Sequence, residues 1–257
     1  MILLTTATEI EARAVIQKLK LKKLQDPYFS IWQNEEVILV ITGIGKVKTA
    51  SAIAYVFAIT KSSIKAAINF GLAGHKYLDP GLVFLAHKIM DFTNGKSFYP
   101  GISFSFKDIT SPLTTFDLPY TSYEIDSGYD MEGVAFFETC LKFLSLDVIH
   151  FLKTVSDNAK NPLPPQLDKN FFLHLMKASL SALESLIATL TSMNKLLFTP
   201  PSVDLSFFIE NWNFTESEKN ILSDVLQRLM ILEKPYKVEA LKSLSKHEVL
   251  QDLKRLL

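Results

Sequence analysis

The first half of the chain alternates short apolar runs with longer stretches in which apolar residues recur at helical spacing. Ile2–Thr6 is an uninterrupted uncharged run and predicts a strand buried on both faces. A helical pattern follows over residues 9–19, and Thr8 stands where its hydroxyl can accept an amide that the first turn leaves unpaired. Residues 31–33 and 37–42 predict two further strands, and the Thr42-Gly43-Ile44-Gly45 turn leads into a helix through residues 50–58. Residues 66–70 predict another buried strand, ended by Gly71-Leu72-Ala73-Gly74, and residues 81–90 predict one more. This alternation predicts an α/β fold with a mixed, largely parallel central sheet flanked by helices.

Residues 91–129 lose the period. They are rich in Ser, Thr, Pro, Gly and aromatics and predict loops with one or two short strands, the kind of segment that often covers a binding site. Order returns with a helix over 131–144 and a strand over 148–155 that is apolar apart from His150 and Lys153. The Asn161-Pro162-Leu163-Pro164-Pro165 loop then leads to one long amphipathic helix over 171–190 that would close the domain. Beyond Pro200-Pro201 the pattern is purely helical, with capping boxes at Thr215/Glu218 and Ser245/Glu248 and a break at Pro235. There Ile221, Leu222, Val225, Leu229 and Leu232 recur at helical spacing and are expected to be buried. The chain thus reads as a main domain, residues 1–197, with a helical C-terminal extension, residues 198–257.

Composition and charge narrow the function classes. A chain of 257 residues can bury a sizeable core without disulfide or metal staples. Lys+Arg and Asp+Glu balance at 27 each, which leaves no broad electrostatic case for nucleic acid or an anionic membrane, so the expected partner is a small molecule. No run approaches the roughly 18 to 20 apolar residues of a membrane span. The opening apolar run stops at Glu9, too short for a signal-peptide core. The lone Cys140 has no partner thiol and reads as a core residue in a reducing compartment, which points to the cytoplasm.

The carboxylates carry the candidate chemistry. Glu11 lies just beyond the first strand, Glu132 at the start of a helix, and Asp157 directly after a buried strand. In a doubly wound topology all three project toward one end of the sheet, where open α/β folds place their ligands. A carboxylate in a first helical turn commonly does no more than complement the helix dipole. Three around one anomeric carbon can instead divide the base, acid and cation-stabilising work of breaking an N-glycosidic bond. Gly43/Gly45 and Gly71/Gly74 read as strand-to-helix turns that let backbone approach a ligand, though neither matches a P-loop or a dinucleotide fingerprint. His75 is either a site residue or a satisfied loop donor, while His87 and His150 read as structural. No cluster has metal-ligand spacing, so neither a metal nor a cofactor is expected. Phe136-Phe137 and Phe171-Phe172 read as packing residues.

Five segments, in order, form a recognisable set: Thr6-Ala7-Thr8-Glu9-Ile10-Glu11, Thr42-Gly43-Ile44-Gly45-Lys46-Val47, Asn69-Phe70-Gly71-Leu72-Ala73-Gly74, Asp130-Met131-Glu132-Gly133 and Val155-Ser156-Asp157. They resemble the motifs of methylthioadenosine/S-adenosylhomocysteine nucleosidases and futalosine hydrolases, within the nucleoside phosphorylase superfamily, over roughly residues 1–197. The resemblance implies a nucleoside phosphorylase-like fold, a homodimer, and a nucleosidase that cuts a purine from its ribose with water. It implies Glu11 as the water-activating base and Asp157, oriented by Ser156, as the acid at purine N7. It gives Glu132 the ribose hydroxyls and the cationic sugar, Met131 the ribose face, and Ala73 and Gly74 the substrate-binding strand end. Leu72 and the run from Met131 to Phe137 are closer to futalosine hydrolases, and Lys153 stands where the family often has arginine. The stretch between Gly74 and Asp130 is shorter than usual, so Phe116, Pro119 or Tyr120 would have to supply base stacking, with Phe116 the candidate.

Two other readings stay open. A phosphorylase of the same fold would need cations near Thr5, Gly43 and Gly71, where this sequence offers Glu11, whose carboxylate would repel phosphate, and has its nearest guanidinium, Arg13, within the first helix. A non-catalytic descendant that binds a nucleoside or a protein partner would have no chemical reason to retain Glu11, Glu132 and Asp157 together.

Overall fold

Side-chain alternation along the strands sorts the core of the main unit into two faces. In the computed structural model, which describes residues 1–60, 63–107, 109–163, 169–198, 203–232, 234–236 and 241–257, β1 (Ile2–Thr6) sends Leu3 to one face and Ile2 and Leu4 to the other. Helix α1 (Glu9–Lys18) follows, capped by Thr8 with a reciprocal bond from Glu11. The next strands are β2 (Lys22–Lys23), β3 (Ser30–Gln33) and β4 (Val37–Ile41), then helix α2 (Lys46–Thr60). The chain continues through β5 (Ala66–His75), β6 (Val83–Asp91), β7 (Ser97–Phe98), β8 (Ile109–Thr115) and β9 (Gly128–Asp130). Helix α3 (Gly133–Cys140), strand β10 (Ile149–Asp157) and helices α4 (Lys169–Ala178) and α5 (Leu180–Phe198) follow. Helices α2 and α3 cover the Leu3 face, and α1, α4 and α5 cover the other, where Met176, Leu183 and Leu190 are buried.

The sheet is mixed, and its centre is parallel: β4, β1, β5 and β10 run side by side in one direction. Strand β5 organises the site. It pairs with β1 only from Ala66 to Asn69, because β1 ends at Thr6, and the edge freed beyond that point takes β9 at Gly74 and His75. On its other edge β10 follows it from Ala67 to Gly74. Three chain segments therefore meet at the carboxyl end of β5.

Several expected boundaries shift. Gly71-Leu72-Ala73-Gly74 is not a turn but the continuation of β5, since β10 pairs along all four residues and β9 joins the other edge at Gly74. Asp157 closes β10 rather than following it, and the helix expected over 131–144 starts at Gly133, with Glu132 at its N-cap position, and ends at Cys140. Strand β8 was hidden by its Ser, Thr and Pro content. Pro112 sits beside a register shift opposite Ala86 and Lys88, the bulge position at which a strand tolerates a missing N–H. The single helix expected over 171–190 is two helices that part at Ser179, whose hydroxyl donates to the Met176 carbonyl at 2.8 Å.

By contact density the chain divides into Met1–Met193 and Asn194–Leu257. The second unit holds α6 (Ser206–Asn211), α7 (Glu216–Ile231) and α8 (Lys246–Arg255), the last two opened by the capping boxes at Thr215 and Ser245. Phe208, Leu222, Val225, Leu229, Val249 and Leu253 form its own core. Ile221 and Leu232 were expected in that core but are 41% and 53% exposed. Ile221 is turned off the buried stripe by one helical step, and Leu232 caps the helix end. Pro164, Pro165, Pro200 and Pro201 lie outside the described residues. No single helix among the described residues is long and apolar enough to cross a membrane.

Candidate active site

A cavity of about 260 Å³ opens at the carboxyl end of β5. Glu11, Glu132 and Asp157 all line it, together with Met131, Ser156, Ala73 and Gly74. Each carboxylate arrives from a different element: Glu11 from the first turn of α1, Glu132 from the junction of β9 and α3, and Asp157 from the last residue of β10.

Glu11 is buried and fully engaged. Its Oε2 accepts from the Thr8 N–H at 2.7 Å and the Thr8 hydroxyl at 2.9 Å, and its Oε1 accepts from the Leu72 N–H at 2.9 Å. The capping box thus doubles as the device that aims this carboxylate at β5. Gly71 makes room for it, since a Cβ there would lie 2.6 Å from Glu11 Oε1. Gly74 has the same role for Asp157, with Oδ2 only 3.2 Å from where its Cβ would be. Close approach, not an unusual backbone conformation, is what these two positions require.

Glu132 accepts from the Gly45 N–H at 2.8 Å, across 87 residues of sequence. Gly45 has φ +103°, a conformation that favours glycine and here aims the amide at the carboxylate. Burial, reinforced by the neighbouring Asp130 carboxylate, raises Glu132 to about 7 against the opposing pull of Lys153 and the Gly45 N–H. Lys153, the one cation in β10, is buried beneath the site and pairs with Asp130 Oδ2 at 3.0 Å. Burial acts to lower this ammonium, but Asp130, Glu132 and Glu11 outweigh it and the net shift is upward. Asp130 is further held at Oδ1 by the Thr115 hydroxyl at 2.8 Å and the Gly133 N–H at 3.2 Å.

Asp157 accepts from the Ser156 hydroxyl at Oδ1 and from the Tyr123 hydroxyl at Oδ2. Desolvation, strengthened by this carboxylate, raises the Tyr123 phenol well above its ordinary value, so it remains a donor.

Phe116 does not line the cavity. It lies one layer behind, stacked on Tyr120 at 4.2 Å between ring centroids and an interplanar angle of 10°, and Tyr120 presents itself to the cavity in its place. Phe172, expected to be a packing residue only, also lines the cavity, as do Ile44, Leu163 and Tyr129. His75 is a structural residue: buried, its Nδ1 accepts the Tyr77 and Leu78 N–H groups at 3.0 Å each, which leaves Nε2 to meet the Ser111 hydroxyl at 2.8 Å. His150 is buried in β10 against the Asp147 carbonyl, and desolvation lowers it to about 4. His87 is exposed. Among the described residues, no group of three or more His, Cys, Asp or Glu side chains could hold a metal ion, and no Lys or Arg lines the cavity. Tyr123 escaped sequence reasoning because one tyrosine in an aromatic-rich loop carries no period or motif.

No family model and no curated protein matches the sequence. Solved structures do match the fold. A methylthioadenosine/S-adenosylhomocysteine nucleosidase from Colwellia psychrerythraea 34H, in complex with adenine, superposes with a TM-score of 0.56 at 20% identity, over 74% of this chain and 94% of that one. The nucleosidase of Campylobacter jejuni gives 0.59 at 17% identity, over 73% and 98%. The futalosine hydrolase of Helicobacter pylori strain 26695 gives 0.58 at 15% identity, over 73% and 97%. This chain shares the fold of these nucleosidases and of the futalosine hydrolase.

Proposed function

We propose that this protein is a nucleosidase that hydrolyses the N-glycosidic bond of a purine nucleoside of the methylthioadenosine, S-adenosylhomocysteine or futalosine type. The observation that carries the reading is the convergence of Glu11, Glu132 and Asp157 on one cavity whose described lining holds no cation. A phosphate nucleophile would meet the Glu11 carboxylate there with no cation in the described lining to hold it, whereas a water molecule can give that carboxylate its proton.

The step balances as follows. Water oxygen bonds to C1′ and its proton passes to Glu11, while the C1′–N9 bond breaks and its electron pair goes to the purine. Asp157 protonates, or hydrogen-bonds to, N7 of the departing base. Glu132 binds the ribose hydroxyls and offsets positive charge on the sugar, and Met131 packs on the ribose face. Such an oxocarbenium-like state gains most from negative groups fixed in place before the bond breaks, and each carboxylate here is held by at least one hydrogen bond. The protein would act as a homodimer in the cytoplasm, and light scattering that finds a stable monomer at micromolar concentration removes the first of these.

The test is release of free base from methylthioadenosine, S-adenosylhomocysteine, futalosine, adenosine and inosine, with and without phosphate. Phosphate-independent release that is lost in both Glu11→Gln and Asp157→Asn is the expected result. Release that requires phosphate would make the protein a phosphorylase, and silence across the panel would leave a binding role.

A further inference from the structure

We infer that Tyr123 is the positioning residue of Asp157, an inference that rests on the nucleosidase reading above. Asp157 lines the cavity but Tyr123 does not, so the phenol reaches Oδ2 from outside the space a substrate would fill. Each carboxyl oxygen offers two lone-pair directions. With Ser156 on Oδ1 and Tyr123 on Oδ2, the two hydroxyls fix the carboxyl plane, and one direction on each oxygen remains for the ligand.

The loop is built to deliver that hydroxyl. Tyr123 has φ +53°, in the left-handed region that a bulky side chain occupies only where its surroundings hold it. The surroundings do so on both sides. Lys46 pairs with Asp117 at 2.8 Å, Lys76 donates to the Glu124 carbonyl at 2.7 Å, and the Tyr129 hydroxyl donates to the Ile125 carbonyl. The Tyr123 ring packs on Tyr129 at 5.9 Å, and Tyr129 in turn lies against Gly74. Strand β9, which carries Tyr129, therefore fixes the Tyr123 ring beside the end of the strand that Asp157 closes.

Tyr123→Phe removes the hydroxyl and keeps the ring in its packing. If the phenol acts through Asp157, the loss falls on the work of Asp157 alone. With a purine nucleoside, kcat should fall by about ten- to hundredfold, the cost of a proton donor misplaced by up to about 1 Å, with KM changed less than about threefold. With p-nitrophenyl β-D-ribofuranoside, whose phenolate departs without a proton from the enzyme, kcat should change less than about twofold, and Asp157→Asn should show the same split. Equal slowing on both substrates overturns the inference, because it reports general damage to the fold, and unchanged turnover of the purine nucleoside overturns it as well.

Binding separates this inference from the nucleosidase reading. 7-Deazaadenine lacks the N7 acceptor, so calorimetry should show the native protein preferring adenine over it by about tenfold. Tyr123→Phe and Asp157→Ala should each erase that preference. A preference that survives Tyr123→Phe but not Asp157→Ala overturns the positioning role, even in a protein that turns over no nucleoside.

Discussion

Replacing Gly71 by alanine puts a methyl carbon 2.6 Å from Glu11 Oε1 and 3.2 Å from its Cδ. Relief to an ordinary contact of 3.4 Å requires Oε1 to withdraw by about 0.8 Å. That oxygen accepts the Leu72 N–H at 2.9 Å, so the movement stretches or breaks the bond that aims the carboxylate at the cavity. The obstructing atom is the far end of a flexible side chain, and Gly71 lies in a regular stretch of β5, so the fold need not yield. A lost hydrogen bond to a charged group and the lower chain entropy of alanine act in opposite directions, which keeps the variant within about 2 kcal/mol of the native protein. Chemistry is less forgiving, because a displacement of about 1 Å in a catalytic group costs on the order of a hundredfold in rate. The expectation is a kcat for base release lower by about a hundredfold, a KM changed little, and a urea midpoint close to native. A Gly71→Ala protein with kcat within twofold of native would refute the placement of Glu11 as the base held by β5.

Four further outcomes are expected. Glu132 keeps its proton in the folded state up to about 7 while the unfolded chain loses it near 4.5, so its contribution to stability falls as pH rises through that interval. Turnover should climb toward the upper end of the same interval as the carboxylate ionises, and both dependences should flatten in Glu132→Gln; an unchanged pair of profiles contradicts the assignment. Lys153→Met strands the buried Asp130 carboxylate and should cost about 3–5 kcal/mol by urea unfolding, with much of the loss recovered in the Lys153→Met/Asp130→Asn pair. Tyr120→Ala should raise KM for a purine nucleoside about tenfold through lost stacking, whereas Tyr120→Phe should not, and equal effects would point to its hydroxyl instead. Deletion of residues 202–257 should leave a soluble, active protein, because the core of the second unit is composed of its own residues; an insoluble or inactive remainder would show that the extension completes the first unit.

What the sequence alone determined was local. The buried strands at Ile2–Thr6 and Val37–Ile41, the cap at Thr8 and both capping boxes of the extension were legible because each rests on spacing within a few residues. Glu11, Glu132 and Asp157 were legible as candidates because each follows or precedes a strand in a recognisable short motif. Only tertiary structure decided how they meet. Strand β5 runs on through Gly71 and Gly74 because β10 pairs along it and β9 takes the vacated edge at Gly74, pairings between segments more than 50 residues apart that no local pattern encodes. Phe116 and Tyr120 lie four residues apart in a segment without a period, and only the folded chain shows that Tyr120 lines the cavity while Phe116 stacks behind it. Tyr123 and Lys153 gain their partners in the same way, since a polar group in a buried place must find its counter-charge or hydrogen bond wherever the folded chain brings one, and distance along the sequence says nothing about where that is.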